Sequence, residues 1–140
     1  MTRTGPRTER SYERTHIIVA DDSRSNLLVL EAMLKKMGLC PATAVDGIEA
    51  VALAEIDVPR LILMDINMPR MNGIEAAITI RARHPNVRIP IVAVTAYPDS
   101  RHQGDYALAE FDSLIAKPVN MTTLKRVVTD YLGDATAALG

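Results

Sequence analysis

Three carboxylates, a hydroxyl and an amine stand at the ends of short apolar runs in this chain. Asp21-Asp22 follows His16–Ala20 (HIIVA), and Asp65 follows Leu61–Met64 (LILM). Thr95-Ala96 closes Ile89–Thr95 (IPIVAVT), and Lys117-Pro118 follows Leu114–Ala116. If these runs lie side by side as parallel strands, their ends converge on one crevice. An oxygen-rich anionic crevice suits a hard cation such as Mg2+, which takes a few carboxylates plus waters and phosphate oxygens. Carboxylates ~4 Å apart repel by ~4 kcal/mol per pair at an effective dielectric of 20, so the cluster needs a cation and the Lys117 ammonium to offset it. One carboxylate can then attack phosphorus and become an acyl phosphate. The ammonium and the hydroxyl would receive phosphate oxygens. Phosphoryl transfer spreads charge over equatorial oxygens, so the placement of cations carries most of the catalysis.

The elements that must position these groups show as an alternation. The apolar runs, with weaker ones at Ala42–Ala44 and Leu114–Ala116, read as strands buried on both faces of a parallel sheet. Leu27, Leu30, Met33, Leu34 and Met37 follow helical spacing, and Gly38 stands where a glycine would stop that helix. Ile48, Val51, Ala52 and Glu55 predict a second helix after Asp46-Gly47. Ile74, Ala77, Ile78 and Arg81 predict a third, opened by Asn72-Gly73. Pro98-Asp99 predicts the start of a fourth. Asn120 predicts the cap of a fifth, with Leu124, Val127, Val128 and Tyr131 on its inner face. Five βα units imply right-handed crossovers with helices on both faces of the sheet. In such sheets the ligand site lies beyond the carboxyl ends of the strands, at the switch point of the strand order.

With 140 residues, 48% hydrophobic and 24% charged, the chain fits one globular domain and not a disordered segment. Residues 1–14 carry four Arg and two Glu, while the rest carries 12 basic and 15 acidic groups. We expect a flexible tail over 1–14, a folded domain over 15–132 and a second tail over 133–140. No apolar run approaches ~20 residues and the start has no signal-peptide pattern, so no membrane segment is expected. A net charge of −1 offers no general attraction to nucleic acid. The single cysteine, Cys40, leaves no internal disulfide and no Cys/His metal cluster, which fits a cytoplasmic home. Standing before Pro41, it is expected to be a buried small hydrophobe. His16 and His102 are expected to bind no metal, and His84 is expected to end the third helix, where a histidine suits the helix C-terminus. Arg24 and Arg70 edge the crevice, as docking aids or as plain solvated side chains.

Taken together, these segments resemble the receiver domain of two-component response regulators. The matching stretches are Ile-Val-Ala-Asp21-Asp22, Leu-Met-Asp65-Ile-Asn-Met-Pro69-Arg-Met-Asn-Gly73, Val-Thr95-Ala96 and Ala-Lys117-Pro118, in that order within about residues 15–132. The resemblance implies an α/β, flavodoxin-like (βα)5 doubly wound sheet with strand order 2-1-3-4-5. It implies Asp65 as phosphoacceptor and Mg2+ as cofactor. Asp22, Asp65 and the Asn67 backbone carbonyl would hold the metal directly, and Asp21 through water. Lys117 would pair with the phosphoryl group, Thr95 would turn its hydroxyl to it, and the peptide before Pro118 would be cis. The phosphoryl group would come from a histidine kinase or histidine phosphotransfer protein and leave by hydrolysis. Such a domain catalyses its own phosphorylation and dephosphorylation and is not a conventional enzyme.

The resemblance also implies modulating positions. Asn67 and Tyr97 flank the site and would influence the access of water to the acyl phosphate. Activation would reshape a face including Gln103, Tyr106, Lys125 and Arg126, changing affinity for an unknown downstream protein. Three positions depart from the family pattern. Leu114 stands where Tyr or Phe is usual, Glu110-Phe111 where a glycine usually closes the fourth helix, and Asn72 where Asp is common. The chain ends soon after the fifth helix, so a stand-alone regulator or the receiver of a hybrid kinase is expected; Asn26 and the Ala-Lys117-Pro118-Val119 ending favour the latter. Two other readings differ in class. One is a binding module that keeps the fold without phosphorylation, supported by Leu114. The other is a Mg2+-dependent phosphohydrolase with an Asp nucleophile, against which Asn67 stands where haloacid-dehalogenase-type phosphatases carry a second Asp.

Overall fold

Aliphatic residues at successive strand positions give each central strand two apolar faces, so each must be covered on both sides. The computed structural model describes residues 16–96 and 109–133. Strands β1 (Ile17–Ala20), β2 (Pro41–Ala44), β3 (Leu61–Asp65), β4 (Ile91–Thr95) and β5 (Ser113–Ala116) form one parallel sheet in the order β2-β1-β3-β4-β5. Helices α1 (Arg24–Lys36), α2 (Gly47–Ile56), α3 (Gly73–Arg83) and α4 (Met121–Leu132) complete the described fold. The expected flavodoxin-like order 2-1-3-4-5 is therefore present. The helix expected from Pro98-Asp99 lies outside the described residues, as do 1–14, 134–140, Tyr97, His102, Gln103 and Tyr106.

Side chains alternate between the two faces with the strand period of two. Ile18, Ala20, Ile62, Met64, Ile91 and Ala93 form one buried cluster with Ala50, Val51 and Ala54 of α2 and Ile74, Ala77 and Ile80 of α3. Ile17, Val19, Leu61, Leu63, Val92 and Val94 form the other with Leu27, Leu30 and Leu34 of α1 and Leu124, Val127 and Val128 of α4. Each helix has a polar cap, supplied by Ser23, Asp46, Asn72 and Asn120 in turn. Asn72 forms a full capping box with Glu75, so Asn in place of Asp keeps the helix start intact. Helix α1 ends as expected at Gly38, with φ 83°. Its N–H donates to the Lys35 carbonyl, and the Leu39 N–H donates to the Leu34 carbonyl. That pair of bonds closes the helix while Leu34 and Leu39 pack into the core.

Two residues of the helical patterns face outward, and the expected burial of Cys40 needs correcting. Helix α2 buries Gly47, Ala50, Val51 and Ala54, and leaves Ile48 50% exposed. Apart from Glu49 and Glu55 its sequence is apolar, and the small residues take the inner face because they allow the closest approach to sheet and neighbouring helix. Ile78 of α3 likewise faces outward. Cys40 is exposed, because Leu39 beside it fills the core at the approach to the edge strand β2. Phe111 and Tyr131 are half-buried and pack against the two clusters.

The turn into β5 is pinned from α3. Arg81 donates to the carbonyls of Ala109, Ile89 and Glu110 and to the Asp112 carboxylate, at 2.7–3.1 Å. Asp112 also accepts from Arg88 and from the Ile91 N–H. Burial works against the Asp112 charge; the Ile91 N–H and Arg88 outweigh it and hold its pKa below the ordinary value. Glu110, where the family glycine is absent, adopts a left-handed φ of 55°.

Candidate functional site

Asp21 and Asp65 leave the sheet at the ends of adjacent strands β1 and β3, where Ala20 is paired with Met64. Both residues are buried. Lys117 follows β5 and reaches back across the sheet end. Its Nζ lies 3.0 Å from Asp21 Oδ2 and 3.1 Å from Asp65 Oδ2. Asp22 is exposed, and its carboxylate completes a set with Asp21 and Asp65 whose oxygens lie within 4.8 Å of one another. Thr95 is buried at the end of β4, paired with Ala116, and its carbonyl accepts the Lys117 N–H at 2.9 Å. The structure thus brings the three acids and Lys117 together and holds Thr95 in the adjoining strand. The Lys117–Pro118 peptide is cis.

The loop after β3 positions Asp65 from behind. The Asn67 N–H donates to Asp65 Oδ1 at 3.4 Å. The Gly73 N–H donates to the Ile66 carbonyl, which folds the loop over the strand end. A Cβ on Gly73 would lie 2.1 Å from the Asp65 carbonyl oxygen. Glycine is therefore needed for α3 to start against β3, a role the Asn72-Gly73 pair showed in sequence only as a helix opening. Arg70, with φ 65°, pairs with the buried carboxylate of Asp46, while Arg24 is exposed. The Glu49 N–H, with Arg70, holds the Asp46 pKa below its ordinary value despite burial.

The electrostatics follow from burial. Desolvation and the Asp21 charge push the Asp65 pKa up from 3.8 to about 6, against the pull of Lys117 and the Asn67 N–H. Burial works against the Lys117 charge, but its bond to Asp21 and the charge of Asp65 hold its pKa above the ordinary lysine value. One ammonium thus serves two buried carboxylates, with a third acid beside them. That all-oxygen donor set and its uncompensated negative charge fit a hard divalent cation. Asp21, Asp22 and Asp65 are the side chains that would hold it.

Sequence reasoning missed two contacts. The Ser23 N–H donates to Asp21 Oδ1 at 2.9 Å, and Asn26 Nδ2 to Asp21 Oδ2 at 3.3 Å. The only signal for either is their spacing after the Asp pair. Leu114 of β5 is half-buried opposite Ala93 and packs with the α2–α3 cluster. Beside Lys117, a groove of about 510 Å3 runs between α1 and the β5–α4 connection, lined by Asn26, Val29, Leu30, Val94, Pro118 and Val119 among others.

A sheet of this order with acids at the ends of β1 and β3 and a lysine after β5 defines the response regulator receiver class, and that family's model matches residues 17–129. The chain belongs to this family and is a receiver domain of two-component phosphorelay signalling. The receiver domain of a sensor histidine kinase from Pseudomonas aeruginosa, solved with a magnesium ion coordinated in the active-site cleft, is 33% identical with a TM-score of 0.79, covering 85% of this chain and 98% of that one. The receiver of Ssk1 from Saccharomyces cerevisiae, solved with the histidine phosphotransfer protein Ypd1, is 26% identical with a TM-score of 0.79, covering 86% and 90%. The polar-differentiation response regulator DivK of Brucella ovis is 27% identical over 119 residues, 85% of this chain and 97% of that protein. The histidine kinases and hybrid signalling proteins matched are much longer, and this chain spans 4% to 16% of their length. Among the described residues no helix is long and apolar enough to cross a membrane.

Proposed function

We infer that this domain takes a phosphoryl group from a phosphohistidine onto Asp65 and thereby changes its affinity for a partner protein. The observation that carries this reading is the buried Asp65 carboxylate at the end of the central strand, 3.1 Å from Lys117 and grouped with Asp21 and Asp22. An Asp65 oxygen forms the new O–P bond as the donor's N–P bond breaks; the imidazole nitrogen leaves with the electron pair and takes a proton. Lys117 receives one phosphoryl oxygen, and the Thr95 hydroxyl another. Asp22, Asp65 and the Asn67 carbonyl would hold the metal directly, and Asp21 through water. Bound Mg2+ would supply neutralisation of charge on the transferring group. Hydrolysis of the acyl phosphate returns Asp65 and inorganic phosphate; Asn67, and Tyr97 by the family resemblance, modulate its rate. Leu114 has no ring to turn inward, so coupling to Thr95 cannot take the aromatic form usual in the family.

The donor is a histidine kinase or histidine phosphotransfer protein. The apolar groove beside Lys117 and the exposed Leu28 and Val29 of α1 offer it a surface. We read the domain as cytoplasmic, where ATP charges phosphohistidine donors. The test is incubation with acetyl phosphate and Mg2+, followed by intact mass. One added phosphoryl group that requires both Asp65 and Mg2+ is expected. An adduct that persists in Asp65→Asn would move the acceptor elsewhere. No adduct, together with no binding of beryllium fluoride, would favour the phosphorylation-independent module.

A further inference from the structure

Helix α1 begins differently from its neighbours, and the difference falls on the acidic cluster. In α2 and α3 the third helical residue is a glutamate, Glu49 and Glu75, whose carboxylate reaches back to a backbone N–H at the helix start, at 2.9 and 3.0 Å. In α1 that position is Asn26. The N–H it would otherwise take, that of Ser23, is already bonded to Asp21 Oδ1. The Asn26 amide turns instead to Asp21 Oδ2, the oxygen that also accepts from Lys117. Every oxygen of the buried Asp21 carboxylate is thereby engaged by a donor of this chain. An acid at position 26 would suit the helix N-terminus, but would bring a fourth negative charge to Asp21, Asp22 and Asp65.

We propose that Asn26 is a positioning residue: its side-chain amide holds the Asp21 carboxylate on Lys117, which Asp21 shares with Asp65, and so keeps Asp21 from displacing Asp22 and Asp65 as direct metal donors. This inference rests on the phosphotransfer reading above for its consequence, and on hydrogen-bond geometry alone for the assignment. Asn26 acts through Asp21 and touches no reacting atom.

The test compares wild type with Asn26→Asp, Asn26→Gln and Asn26→Ala. Mg2+ affinity is measured by calorimetry, and stability by denaturation in EDTA. Asn26→Asp swaps a donor for a like charge in the same volume. It should lower metal-free stability and tighten Mg2+ binding roughly tenfold, the scale of one added charge a few ångströms away. At an ordinary helix start the same change stabilises without any metal dependence. Asn26→Gln keeps the amide and should hold the Mg2+ Kd within about twofold of wild type. Asn26→Ala, which adds no charge, should slow labelling by acetyl phosphate at saturating Mg2+ threefold or more, with Asn26→Gln restoring the rate. An Asn26→Asp protein that is as stable as wild type in EDTA and binds Mg2+ with unchanged Kd would overturn the assignment. So would an Asn26→Ala protein that labels at the wild-type rate. Should wild type bind Mg2+ yet take no phosphoryl group, the phosphotransfer reading would fail while the Mg2+ comparison still judged Asn26.

Discussion

Replacing Asp65 with Asn should stabilise the metal-free protein at neutral pH, and the gain should disappear in acid. Burial and the Asp21 charge raise the Asp65 pKa from 3.8 to about 6. Each pKa unit is worth about 1.4 kcal/mol, so the ionised Asp65 costs the fold about 3 kcal/mol once the pH is well above 6. The sign follows from proton binding. The folded state holds the extra proton between pH 3.8 and about 6, so this group's contribution is fully present below 3.8 and is lost as pH rises through about 6. Asn has the shape of the carboxylate and no charge at any pH. Lys117 keeps Asp21 as a partner at 3.0 Å, so the change strands no ammonium. Asp46 and Asp112, whose pKa values are lowered, lose stabilising charge in acid, but equally in both proteins. The informative quantity is therefore the difference between variant and wild type. Urea denaturation followed by circular dichroism, in EDTA at pH 4, 5, 6 and 7.5, measures it. The difference should grow from near zero at pH 4 to about 3 kcal/mol at pH 7.5. A difference that does not change with pH, or a wild type that is the more stable protein at pH 7.5 without metal, would refute the reasoning.

The same cluster predicts that Mg2+ at ten times its dissociation constant stabilises wild type by about 1.4 kcal/mol; an unmoved denaturation midpoint would count against the metal site. Gly73→Ala places a Cβ 2.1 Å from the Asp65 carbonyl, so it should cost about 1–3 kcal/mol and weaken Mg2+ binding, both readable in one denaturation series with and without metal. Glu110→Gly should stabilise the protein. Relief of a left-handed non-glycine residue is worth about 1–2 kcal/mol, the added freedom of glycine in the unfolded chain returns about 0.4–1, and the exposed Arg88–Glu110 pair is worth little. A melting temperature equal to or below that of wild type would contradict this.

The sheet and the grouping of acids at its end were readable in sequence because β1, β3 and β4 are uninterrupted apolar runs. A polar residue at the end of such a run has nowhere to go but the crevice. Asp21, Asp65 and Lys117 follow that rule. Asn120, Asn72 and Asp46 were visible as helix caps because capping is local, decided within three residues. Orientation of α2 was not readable, since its apolar residues spread over most of its circumference without a clear stripe and its inner face is chosen by the partners it meets. Contacts between distant segments were also hidden. Arg81 bonds residues 28 to 31 positions away, and Arg70 pairs with Asp46 across 24 positions. Nothing in the composition of an isolated arginine distinguishes such a clamp from a solvated side chain. The bonds from Ser23 and Asn26 to Asp21 fall between these cases: the spacing is local, but the strand end that makes it matter is not.

The exposed thiol of Cys40 has a practical consequence. It is the sole cysteine of the chain, and it precedes β2 at the amino ends of the parallel strands, whereas Asp65 lies at their carboxyl ends. A four-residue strand rising about 3.3 Å per residue separates the two levels by about 13 Å. A maleimide fluorophore would therefore attach at one known position without entering the acidic crevice. Energy transfer from a labelled partner to that dye would report docking and release through a full phosphorylation cycle, in the unmutated protein.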